Sequence, residues 1–482
     1  AYMLPSVVVG VDEWPRTSSG KIDRRRLPAA SLASSSCAGS VVGPRSASES
    51  AAREAMAGVL RLDAESVSVE ASFFELGGNS LRAVLLSRAL CAALGRDVSV
   101  AEVLQRPTAA GLASDAGDVD GSGAFLLPPL TRRVEASALV GGAHAVSWNQ
   151  SQLLTVHAAD PTSAAYNIPM PRWMSAADGL SSPHVLRLAL AEVARRHAVL
   201  RTTYEVGTDG AFAQRVHAAI ASDAFAEARA TGDAEASALA SVDASSGFVL
   251  LDERGGAMRA TLVRVCGHAG APRQLLLLNV HHVAFDGGST SVLLGELDAL
   301  CGALGAGGSA GDAGLAPPLL QYVDYALWQR DALAPVLEPQ RAYWRASLRE
   351  GALPVLELPL DFARPPVQTF AGDAVGLRIG STAAGRLESV CRAHGCTLFQ
   401  LVLGVWSLVL CRHAGQEEVV VGSPYHGRDV SGTESLIGYF VNMLALRVEA
   451  RRGGSAATLL SSARGAASGA MGHAAVPFQS VV

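Results

Sequence analysis

The sequence predicts a multidomain protein: a small all-α bundle of four short helices, followed by a larger α/β part of two lobes. Three observations lead there. Residues 49–113 carry helical periodicity in short segments, strand-like and helix-like runs alternate from about Pro128 onward, and a Gly-rich stretch over 302–314 divides that second part. A chain of 482 residues also exceeds what one hydrophobic core organises.

Residues 1–28 open with a strand-like Val7-Val8-Val9, then a turn and a basic cluster that ends at Leu27-Pro28. Ala, Ser and Gly dominate residues 29–46, which read as a linker. The bundle occupies 47–114. Ala52, Met56, Val59 and Leu60 mark one face of its first helix, and Leu81, Val84, Leu85, Leu90 and Leu94 mark one face of a second. Pro107-Thr108 starts a short last helix. Residues 115–127 form a second linker, and 128–482 hold the lobes, the first over about 128–305 and the second over about 315–482. The longest apolar stretch, Leu398–Cys411, reads as a buried helix and is too short to span a bilayer.

Composition narrows the partners. A formal charge of −5 argues against nucleic acid. Seven scattered cysteines make no disulfide framework and fit a reducing cytoplasm. No signal-peptide pattern or membrane span is legible. The expectation is a cytoplasmic piece of a larger soluble protein, with neither nucleic acid nor membrane as partner. Cys391, His394 and Cys396, with Cys411 and His413, have loosely zinc-like spacing. On a buried helix such cysteines pack, so no metal is expected.

Two strings carry chemistry. Leu275-Leu276-Leu277-Leu278-Asn279-Val280 reads as a buried strand that runs into His281-His282-Val283-Ala284-Phe285-Asp286-Gly287-Gly288. Strand alternation sends His281 and His282 to opposite faces, so they cannot share one pocket. The turn after Asp286 leads to a helical run that opens at Ser289. In the bundle, Phe73-Phe74-Glu75-Leu76-Gly77-Gly78-Asn79-Ser80-Leu81 puts Ser80 at a helix start, where free N–H groups and the helix dipole favour a phosphate. A serine there also serves simply as an N-cap.

The second string resembles the phosphopantetheine-attachment motif Leu-Gly-Gly-x-Ser-Leu of peptidyl carrier proteins. The resemblance implies that Ser80, flanked by Gly78 and Leu81, takes up 4′-phosphopantetheine from a phosphopantetheinyl transferase. Thr17-Ser18-Ser19-Gly20-Lys21-Ile22-Asp23 is similar to the last motif of amino-acid adenylation domains. It implies that residues 1–28 are the tail of an upstream adenylation domain and that Lys21 is the family's adenylate-contacting lysine. The His281–Gly287 string resembles the core of condensation domains of nonribosomal peptide synthetases. Other strings follow in that family's order: Ser147–Leu154 loosely, Arg196-His197-Ala198-Val199-Leu200-Arg201-Thr202, Tyr322–Trp328, Ile437–Asn442 and a partial match over His473–Gln479. The resemblance covers about 128–482 and implies a domain truncated at its C-terminus.

By this resemblance the fold is that of chloramphenicol acetyltransferase-like acyltransferases, with two lobes around a tunnel. His282 is then the active histidine and His281 packs behind the strand. Asp286, before Gly287, supports the loop by pairing with an arginine, Arg201 first and Arg196 second. Tyr325 and Asn442 take tunnel or lobe-contact roles. The implied reaction moves an aminoacyl or peptidyl thioester from Ser80's arm to the amine of an amino acid on a downstream carrier domain. An epimerisation domain shares the histidine core, and a non-catalytic docking domain is the rival from another class. A cyclisation domain would carry Asp in place of His281.

Overall fold

The computed structural model describes residues 41–481 apart from 79, 97, 99–101, 104–105, 115–126, 175–181, 253–254, 267–272, 349–352, 354, 367–371 and 373. Lys21 and the basic string around it therefore lie outside the described residues, as does most of both expected linkers.

Three α-helices of the bundle are described: α1 (Ala47–Leu60), α2 (Ser80–Leu94) and α3 (Ala109–Ala113). Ser46 caps α1 by accepting from Glu49 N at 3.1 Å, and Thr108 caps α3 by accepting from Gly111 N at 3.0 Å. Ala52, Met56 and Leu60 of α1 close on Phe73, Leu86, Leu90 and Leu112. The buried face of α2 runs through Ala83, Leu86, Ser87 and Leu90, whereas Leu85 is 48% exposed. Expecting Leu85 inside was an error of phase, because steps of three and four from Ala83 pass over it.

The larger part begins with one turn, α4 (Ala136–Leu139), and a short strand, β1 (Ala143–Ala145). The first lobe then adds α5 (Trp148–Ala159), β2 (Asn167–Met174), α6 (Pro183–Arg196), β3 (Thr202–Val206), β4 (Phe212–Val216), β5 (Phe225–Ala230), α7 (Asp233–Ser245), β6 (Met258–Val265), β7 (Arg273–His281) and α8 (Gly287–Gly305). The second adds α9 (Tyr322–Trp328), α10 (Glu338–Leu348), α11 (Ser381–His394), α12 (Leu398–Ala414), β8 (Glu418–Tyr425), β9 (Asn442–Glu449) and α13 (Ala456–Gly472). The described strands form sheets ordered β1-β4-β3, β2-β7-β6-β5 and β8-β9.

β7 is the strand that positions the site. It is flanked antiparallel by β2 and β6, so both its edges are occupied. Its alternate residues serve two cores: Leu276, Leu278 and Val280 enter the main one, and Leu275 and Leu277 enter a smaller one that includes Ala236 of α7. A strand covered on both faces reads as an unbroken apolar run, as 275–280 does.

α12 departs from expectation. Leu401, Leu403, Ser407 and Cys411 are buried, but Val402, Val405 and Trp406 are 50% exposed or more. Its apolar residues surround the whole helix, and a pattern with no polar face cannot say which side is covered. No single described helix is long and apolar enough to cross a membrane.

Candidate active site at the lobe junction

The chain leaves β7 at His281 and turns through a 3₁₀ segment, His282–Ala284, before α8. His281 is 2% exposed and lies against the rings of His157, Phe248 and Tyr166. Its Nδ1 accepts from Val283 N at 3.0 Å, so the ring proton is on Nε2. His282 is half-buried, and its Nδ1 faces the carbonyl of Phe285 at 2.9 Å. A carbonyl only accepts, so His282 carries its proton on Nδ1 and leaves the Nε2 lone pair free of that bond.

Both rings touch Tyr166, with centroids 6.2 and 6.4 Å away. The two rings reach this one neighbour because the strand ends at His281 and a tight turn takes over. Burial lowers the pKa of each. For His281, burial and then His157 and His282 push it down to about 3. For His282, burial outweighs the hydrogen bond to Phe285 and the charge of Asp286. Both are neutral near pH 7.

A stability effect follows from His281. An exposed histidine titrates near 6.5, so the unfolded chain binds this proton at a pH where the folded chain does not. The contribution is complete above about pH 6.5 and is lost as pH falls toward about 3. The urea midpoint is expected to drop across that window, and to drop less steeply in His281→Asn. Parallel pH profiles for the two proteins would contradict this.

Asp286 is the N-cap of α8 and is 1% exposed. Its Oδ1 accepts from Ser289 N at 2.9 Å, Ser289 Oγ at 2.9 Å and Arg428 Nη2 at 2.7 Å, and its Oδ2 accepts from Phe440 N at 3.1 Å. The arginine partner is thus Arg428, correcting the expectation of Arg201 or Arg196. Arg201 is held by the backbone carbonyls of Ala194, Arg195 and His217. Arg196 grips Glu296 through two bonds of 2.7 and 2.8 Å. Burial alone would raise the Glu296 pKa, yet Arg196 and His197 hold it at about 2.

Arg428 follows β8 and reaches Asp286 from the second lobe. It also donates to the carbonyls of Thr433 and Leu436 and lies over the Phe440 ring at 4.2 Å. The glycine that this contact requires is Gly288, where a Cβ would come within 2.6 Å of Arg428 Nε. Gly287 has open space around its own Cβ position. Sequence reasoning missed Arg428 because 142 residues separate it from Asp286, and no local pattern records such a pair.

Tyr325 and Asn442 meet elsewhere. Both line a cavity of about 460 Å³, with Asn149, Trp328, Gln329 and Phe440 among its walls, and His282 is not one of them. Tyr325 OH accepts from Gln329 Nε2 at 2.9 Å, and Asn442 Nδ2 donates to the carbonyls of Ala474 and Val476. Asn442 therefore anchors the segment after α13. Ser80 is the first residue of α2, preceded by Gly77 at φ +92°. At Gly78 a Cβ would lie 2.4 Å from the Phe73 ring, so only glycine fits. The Gly77-Gly78 bend thus precedes the helix that begins at Ser80, and helix N-termini favour phosphate groups. Among the described residues, no group of three or more His, Cys, Asp or Glu side chains could hold a metal.

The model of the condensation domain matches residues 142–482. The chain belongs to that family. The model of the phosphopantetheine attachment site matches residues 50–115, so the bundle is where 4′-phosphopantetheine is attached. One of the linear gramicidin synthase proteins of Brevibacillus parabrevis is 33% identical over 490 residues, covering 100% of this chain and 9% of that protein. One of the plipastatin synthase proteins of Bacillus subtilis is 30% identical over 485 residues, covering 100% and 18%. The chain thus spans under a fifth of the length of these nonribosomal peptide synthetases. Among solved structures, the X-domain from teicoplanin biosynthesis gives a TM-score of 0.64 at 24% identity, covering 73% of this chain and 75% of that one. The first condensation domain of the calcium-dependent antibiotic synthetase gives 0.57 at 20%, covering 70% and 77%. Carrier and condensation domain here share the two-lobed α/β fold and helical bundle of that family.

Proposed function

We propose that this carrier and condensation pair forms peptide bonds, with Ser80 bearing the donor and His282 acting as base. The observation that carries the reading is the His282 ring, neutral and fixed by Phe285, its Nε2 without a partner among the described residues, beside a buried clasp between the lobes. The prosthetic group supplies a thiol that carries the acyl group as a thioester. An α-amine has a pKa near 8, so roughly a tenth is already neutral around pH 7. His282 therefore orients the amine. As nitrogen bonds to the acyl carbon, Nε2 accepts the nitrogen's proton and then returns it to the departing sulfur. Base catalysis of this kind contributes about 10²–10⁴ in rate.

His281, sealed and bonded to Val283, positions the turn. The partners of this reading are aminoacyl or peptidyl thioesters, an upstream adenylation domain bearing Lys21, a phosphopantetheinyl transferase and a downstream carrier, all in the cytoplasm. An X-domain from teicoplanin biosynthesis is also solved in complex with OxyB, and the shared fold is compatible with docking as a second reading. The test loads the full chain with an aminoacyl-pantetheine, offers a soluble aminoacyl thioester, and reads products by intact mass. A dipeptide is expected from the parent and none from Ser80→Ala, which cannot be loaded. Loading without a dipeptide would overturn the condensation reading in favour of docking or epimerisation.

A further inference from the structure

Seven tyrosines lie among the described residues, and the state of their hydroxyls divides them. Tyr204 accepts from Gln150, Tyr322 donates to the Tyr439 carbonyl, Tyr325 accepts from Gln329, and Tyr425 donates to Asp429. Tyr343 bonds Ser347. The hydroxyls of Tyr166 and Tyr439 have no partner among the described residues, nor are they sealed into the core. These two are the tyrosines whose rings meet His282, at 6.4 and 5.4 Å between centroids.

Tyr439 is the more telling. It is 8% exposed, and a phenol buried to that degree ordinarily finds a partner. Its backbone is held on three successive residues. Gly438 N donates to Ser289 Oγ at 3.1 Å, the Tyr439 carbonyl accepts from Tyr322 OH at 2.5 Å, and Phe440 N donates to Asp286 Oδ2. A Cβ at Gly438 would lie 2.0 Å from the Tyr322 ring, so the chain there fits only as glycine. Such bracing makes the phenol a fixed group from the second lobe, standing edge-to-face at 68° to a histidine from the first.

We propose that Tyr439 is a catalytic residue whose hydroxyl donates a hydrogen bond to the acyl oxygen as that oxygen takes up negative charge beside His282. The inference rests on the condensation reading. Attack of the amine turns the acyl carbonyl into an oxyanion, and a donor already held in place stabilises that charge without reorganising. His282 handles the proton on nitrogen and cannot also serve the oxygen. The phenol stays protonated and able to donate, because burial first, then Tyr166 and Asp286, push its pKa up to about 12.

The test is Tyr439→Phe in the full chain, assayed for dipeptide formation with the Ser80-loaded donor and a soluble aminoacyl thioester. The ring and its contact with His282 remain, and no hydrogen bond among the described residues is lost, so the melting temperature should not move. The expected result is a fall in kcat of about 10²-fold with KM nearly constant. A kcat equal to the parent's, or a change confined to KM, would overturn the proposal. His282→Ala run alongside separates the two claims. If it retains full rate while Tyr439→Phe is slow, the base assignment fails and the oxygen-contact role stands. The reverse pattern removes Tyr439 alone. A parent chain that forms no dipeptide overturns both.

Discussion

His282→Ala is expected to slow amide formation by about 10²–10⁴ while Ser80 is loaded at the parent rate. The two halves of that result come from separate places in the fold. Ser80 begins a helix whose core is built from Met56, Phe73, Leu86 and Leu90, and none of these touches β7. His282 sits beyond β7, and among the described residues its hydrogen bonds stay inside its own turn or go to the Tyr166 carbonyl. Removing the ring leaves the backbone bond from His282 N to Tyr166 O at 2.9 Å, so the turn should persist. A pH profile sharpens the test. Because burial lowers the His282 pKa, the free base persists below the usual histidine range, so the parent rate should fall with the neutral-amine fraction and show no added loss in that range. Equal rates for parent and variant would exclude the ring from proton transfer.

The second large effect is expected at the clasp. Arg428→Ala leaves the Asp286 carboxylate 1% exposed, facing only Ser289 and the N–H of Phe440. Breaking one side of a buried pair in this way costs about 3–5 kcal/mol. It should appear as a lower urea midpoint, with amide formation falling too because Phe440 adjoins Tyr439. Arg428→Ala combined with Asp286→Asn should lose less than Arg428→Ala alone, since asparagine still caps α8 and carries no stranded charge. A loss below about 1 kcal/mol in the single variant would show that Ser289 and Phe440 satisfy the carboxylate unaided.

Legibility followed distance along the chain. The strand into His281, the turn at Asp286 and the helix after it depend on contacts between near neighbours, and alternation with turn chemistry recorded them. Ser80 at a helix start was legible for the same reason. The partner of Asp286 was not. Two nearby arginines looked suitable, but each is engaged by groups closer to hand, Arg201 by carbonyls and Arg196 by Glu296. Arg428 wins because the turn after β8, with Gly427 at φ +63°, delivers it to α8. The exposed side of α12 was illegible for a different reason: hydrophobicity on every face carries no direction.

The clasp also has a mechanical meaning. Asp286 and Ser289 at the start of α8 are stitched to Arg428, Gly438 and Phe440, and His282 lies only four residues before that stitch. Any rocking of one lobe against the other must turn about this point or break a buried ion pair. A lever moves least beside its fulcrum. Swinging of the outer ends of the lobes about this point would leave the imidazole nearly still, so opening and chemistry would make separate demands on the same joint.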